Sequence, residues 1–157
     1  MLMHLLPGTL LMQWLFSLTG PNIAAFLARF LIGLIFTMAG YWKVFELGAA
    51  THAQKYFVEA FQEYWIPDWL LFPLGWLIPF VELGGGLLLM LGWKTKLSLS
   101  ALGLLLIITT YGHALRQPLF DIDGHTFTRM ALILFVLMLP KNTDCITLEH
   151  WLKRDNT

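Results

Sequence analysis

Arg29, Lys43, Glu82, His113, Arg116, His125 and Arg129 lie in or beside stretches that are otherwise apolar enough to cross a membrane. A charge at mid-bilayer costs about 2.5–3.5 kcal/mol even on the lenient insertion scale, so such residues normally face a bundle interior and mark a site. An Arg, a Glu or a His at that depth can hydrogen-bond the two carbonyls of a quinone and exchange protons with them. A cationic mouth attracts a small anion.

Spacing sorts these residues into two groups. Arg29, Gly33, Thr37, Gly40 and Lys43 follow one another at steps of three or four, one stripe of a helix, and Gly75, Pro79, Glu82, Gly85 and Gly86 form a second. Pro79 frees the carbonyl of Gly75. Small residues let membrane helices approach closely, which brings Arg29 within reach of Glu82. Counted from the inner ends of their helices, the two differ in depth by only about 4–5 Å. The pair then either fixes helix registry or lines a ligand cavity.

The second group gathers near the outer end. Thr109, His113 and Arg116 share a face at i, i+4 and i+7, His125 and Arg129 stand at i and i+4, and Lys43 reaches the same level. Asp121 and Asp123 rim this vestibule, with Tyr41, Trp42 and Tyr111 nearby. The alternative reading is ordinary interfacial snorkelling of basic side chains beside an aromatic belt.

The elements that position these residues are membrane spans. With 57% hydrophobic and 13% charged residues in 157, the chain exceeds what one soluble core needs. Four spans of about 20 residues can be drawn. The first runs from about Ile23 to Lys43, with Asn22 as N-cap and Gly48 as the stop. The second runs from Trp69 or Pro73 to Leu91, closed by Gly92, and the third from Leu97 to Leu115, ended by Pro118. The fourth must start near Asp121 or Ile122, because Met130 to Leu139 alone is too short. Ala53, Phe57, Ala60, Phe61 and Tyr64 make the apolar face of an interfacial helix opposite Gln54, Lys55, Glu59, Gln62 and Glu63. Leu148, Trp151 and Leu152 make a shorter one. The expected organisation is an all-α membrane four-helix bundle over 23–140, preceded by an apolar, interfacial or partly inserted leader over 1–22. A cytoplasmic amphipathic tail over 141–157 follows. Lys94, Lys96, Lys141, Lys153 and Arg154 place both termini on the cytoplasmic side by the positive-inside rule.

Arg29, Gly33, Phe36, Gly40 and Lys43, followed by Pro79, Glu82, Gly84 to Gly86 and Leu91-Gly92, resemble the DoxX family of small four-helix membrane proteins. The resemblance covers roughly Arg29 to Leu139. It implies a bundle in a bacterial or archaeal inner membrane. Some members of that family are subunits of thiosulfate:quinone oxidoreductases, and others are linked to thiol or oxidative-stress systems.

Several classes are disfavoured. No flavin, nicotinamide or iron–sulfur signature is present, so electron transfer would need a partner redox subunit. Cys145 is the lone cysteine, which rules out a dithiol of the vitamin K epoxide reductase type within the chain. His113 and His125 could ligate a metal from adjacent helices, yet a bare histidine pair is more often structural. Asp121-x-Asp123-Gly124 lacks the twelfth-position Glu of a calcium loop. Zero net charge argues against nucleic acid. The reading is a redox-linked membrane component binding quinone or a small anion. Its competitor is a non-catalytic docking module that meets a partner through its glycine faces or its outer interfacial helix. A transporter, for which four spans would need a homodimer, is the third option.

Overall fold

The computed structural model describes residues 18–117, 126–140 and 143–154. Helix α1 spans Gly20–Tyr41 and continues through a π-helical turn, Trp42–Glu46, so that one apolar rod of 27 residues results. A helical connector follows: α2 (Ala49–Ala53), a second π-helical turn (Gln54–Val58) and a 3₁₀ turn (Glu59–Phe61). Helix α3 spans Asp68–Leu91, α4 Thr95–Arg116, α5 Thr128–Met138 and α6 Leu148–Arg154.

The rod from Gly20 to Glu46, α3 and α4 are long and apolar enough to cross a membrane. Their outward faces carry side chains that water would not tolerate together, among them Leu27, Leu31, Met38, Leu104 and Ile107. The chain is an all-helical membrane protein. The described part of the fourth helix has 11 residues, about 16 Å at 1.5 Å per residue. The start expected for it near Asp121, and Pro118 as the terminator of α4, lie outside the described residues, as does the leader up to residue 17.

Helix ends follow local chemistry. Thr19, rather than Asn22, occupies the N-cap of α1, and Asn22 reaches back so that its Oδ1 accepts from Thr19 N at 2.7 Å. The same side chain donates from Nδ2 to Thr143 O at 2.7 Å, tying the start of α1 to the tail. Gly48, at φ 85°, breaks the rod where a stop was expected. Gly92, at φ 67°, closes α3 in the left-handed conformation that favours glycine, and Trp93 N donates to Leu88 O.

The tightest contact lies between α1 and α3, which run antiparallel. A Cβ on Gly33 would meet Gly86 O at 2.9 Å, and one on Gly86 would meet Thr37 N at 2.5 Å. A Cβ on Gly40 would collide with the backbone of Leu83. Backbone thus packs on backbone along the stripe, as small residues allow. Gly85 instead faces Leu102 of α4, and Gly75 faces Phe57 and Ala53 of the connector, so the second glycine stripe serves three neighbours. Ile32, Phe36, Leu89, Leu99, Leu102 and Ile133 fill the centre.

Candidate functional site

The glycine contacts set the register, and the register sets the ion pairs. Gly33 and Thr37 sit opposite Gly86, and Gly40 sits opposite Leu83, so the next position along, Lys43, falls beside Glu82. Lys43 Nζ donates to both carboxylate oxygens, at 2.8 and 2.6 Å. Lys43 stands in the π-helical turn that ends the rod.

Arg29 therefore does not pair with Glu82. Its level on α3 is Leu89, seven residues or about 10 Å further along. Arg29 is fully buried. Its guanidinium donates to the carbonyls of Leu89 and Met90, to Ile146 O at 2.6 Å and to Asp144 Oδ2 at 2.5 Å. Those carbonyls lie in the last turn of α3, where backbone acceptors outnumber the helix's own donors. Arg29 thus locks the end of α3 to the segment before α6, a structural role at the opposite end of the bundle from the second group.

The end of the bundle that carries Lys43 holds a cavity of about 490 Å³ between α3, α4 and the connector that folds over them. Its apolar wall comes from Phe57, Leu71, Leu74, Ile78 and Ile108, and its polar wall from Lys43, His52, Thr109, Tyr111, His113 and Arg116. Among the described residues no acidic side chain lines it. The connector is held down by Tyr64 Oη, which donates to Leu115 O at 3.0 Å, and by Arg116, whose guanidinium lies 5.9 Å from the Phe61 ring centre. The face expected on this segment is the one that packs inward: Ala53 and Phe61 are buried, whereas Gln54, Lys55, Glu59, Gln62 and Glu63 are exposed.

Of the expected site residues, Lys43, His113 and Arg116 meet in this cavity. Glu82 stands behind Lys43 rather than in the wall. Arg129 stacks 5.8 Å over the Phe36 ring, and its charge acts on Glu82, so it belongs to that buried polar layer. His125, Asp121 and Asp123 lie outside the described residues. Among the described residues no cluster of His, Cys, Asp or Glu could hold a metal ion.

His52 is a wall residue that sequence reasoning missed. Its signal was Pro79: a proline has no N–H, so the Gly75 carbonyl needs another donor. His52 Nδ1 donates to Gly75 O at 2.8 Å, and because a carbonyl only accepts, Nδ1 carries the proton. Burial holds the imidazole below its ordinary value of 6.5; the Gly75 carbonyl opposes that shift and the Lys43 charge adds to it. The folded protein refuses a proton that the unfolded chain accepts, so this contribution is complete above about pH 6.5 and declines below it. The melting temperature is expected to be lower at about pH 5.5 than at about pH 7.5. His52→Gln, which keeps a donor but does not titrate, should flatten that difference in the same thermal scans.

The family described as Methylamine utilisation protein MauE matches residues 21–120, which include α1, the connector, α3 and α4. This match overturns the DoxX resemblance. The motif elements behind that resemblance are individually common in membrane helices, and the contacts show Gly33, Gly40 and Gly86 to serve close packing. No curated protein and no solved structure matches the chain.

Proposed function

The chain belongs to the MauE family of membrane proteins, and we propose that it is an accessory membrane component of a redox system that holds a quinone-type ring in the outer cavity. The observation that carries this reading is the cavity wall. It combines apolar side chains with basic or neutral polar ones, has no acid among the described residues, and is sized for a ring with the start of an isoprenoid chain. A quinone presents two carbonyl acceptors on an apolar disc. Lys43 and Arg116 are donors, and His113, at the mouth, is a third polar group. Leu71, Leu74 and Ile78 suit the disc and its tail.

The family description points the same way. Use of an amine as a growth substrate requires its oxidation, and the electrons released need an acceptor such as a membrane quinone. With no cofactor motif of its own, this chain would position the acceptor while a partner subunit supplies electrons. The Lys43–Glu82 pair holds the Lys43 donor at the cavity wall. With both termini on the cytoplasmic side, as the positive-inside rule expects, the cavity would lie in the outer leaflet.

A photoreactive quinone analogue tests the placement. After illumination in membranes, label is expected on peptides covering 56–71 and 108–116, and excess unlabelled quinone should suppress it. Label confined to the lipid-facing residues of α1 or α5, and unaffected by competitor, would contradict the reading.

A further inference from the structure

The opposite end of the bundle holds a second cavity, of about 610 Å³, where α4 begins, α5 ends and the segment before α6 crosses. We propose that it binds one phospholipid of the surrounding membrane, of the class whose headgroup carries a phosphate and ends in a primary ammonium. The wall has the charges for both parts. Lys94, Lys96, Asp144 and Glu149 all line it. Leu97, Val136 and Leu139 continue the wall toward the bilayer, where an acyl chain would lie.

Two orphaned polar atoms argue that this cavity is built for a ligand. Asp144 Oδ2 is bound by Arg29, but Oδ1 is buried without a hydrogen-bond partner among the described residues. Thr95 Oγ1 is buried in the same condition. A buried carboxylate oxygen without a donor is costly, so it calls for one. An ammonium N–H supplies that donor, while the Thr95 hydroxyl and the two lysines suit the phosphate. Lys94 is also held at φ 47°, the sole non-glycine in the left-handed region among the described residues. Its N–H bonds to Glu149 Oε1 at 3.2 Å, which fixes the acid beside the cavity.

The test is native mass spectrometry of the full chain released from bilayers containing equal amounts of an ethanolamine, a choline and a glycerol phospholipid. The choline lipid has the same phosphate and chains but no N–H, so the comparison isolates the contact to Asp144. One ethanolamine lipid per chain is expected to be retained, preferred over choline by about fivefold or more, the worth of one charge-assisted hydrogen bond. The double variant Lys94→Asn and Lys96→Gln, with Asn chosen because it tolerates a positive φ, should lose retention of all three lipids while remaining monodisperse. Asp144→Asn should narrow the ethanolamine preference; if it disturbs Arg29 and fails to fold, the lysine variant carries the test alone. Equal retention of ethanolamine and choline lipids, preference for the glycerol lipid, retention unaffected by the lysine substitutions, or no retained lipid would each overturn the proposal.

Discussion

Gly86→Leu is expected to leave no folded bundle in mild detergent, whereas Gly84→Leu, two residues away, should be nearly neutral. The difference lies in what each side chain would meet. At position 86 even a Cβ falls 2.5 Å from the backbone N of Thr37 and 2.7 Å from Gly33 O, and backbone cannot swing aside as a flexible side chain can. Leucine there must push α1 and α3 apart along their whole shared stripe, breaking the alignment that seats Lys43 on Glu82. The cost is about 3 kcal/mol or more, at the top of the range for overpacking. At position 84 a Cβ meets nothing within 4 Å, and the residue faces outward. There leucine replaces glycine in a helix interior and gains helix propensity of a few tenths to about 1 kcal/mol. Size-exclusion profiles and thermal unfolding of the two variants, purified side by side, provide the comparison. A folded Gly86→Leu would mean that α1 and α3 are further apart than described.

Lys43→Met is expected to destabilise the bundle by about 3 kcal/mol, and the double variant Lys43→Met, Glu82→Gln should recover most of that loss. Glu82 side-chain exposure is 4%, and both its oxygens are bound by Lys43. Removing the ammonium strands a carboxylate in the bundle, and breaking a buried pair in this way costs about 3–5 kcal/mol. Lys43 keeps 22% exposure, so the lower end of that range applies. Replacing both members by uncharged side chains removes the stranded charge, and such replacements are often neutral. Unfolding free energies of the wild type, both single variants and the double variant give the coupling directly. If Lys43→Met proved as stable as wild type, the pair would not hold the register.

The same residues show what was legible from sequence. The stripe from Arg29 to Lys43 was readable because glycine at helical spacing has few uses in an apolar span other than close approach. Which helix face is buried follows from such spacing, but the offset between two helices does not. A slide of two turns was therefore invisible, and Arg29 was matched with Glu82 instead of Leu89. Its acidic partner, Asp144, comes from a polar tail 115 residues away that reads as solvated. The connector's apolar face was correctly expected from Ala53, Phe57 and Phe61, yet its role as the roof of a cavity depends on where α3 and α4 diverge, which no local pattern encodes. His52 was legible only through the carbonyl that Pro79 leaves without a donor.

The most direct test of the central claim is the amount of quinone that remains with each chain after purification in mild detergent. Wild type should carry close to one quinone per chain. His113→Leu combined with Arg116→Leu, both exposed at the cavity mouth, should still fold but retain about tenfold less, the effect of losing one or two good hydrogen bonds. Background quinone in wild type, or the same content in both proteins, would contradict a quinone site in the outer cavity.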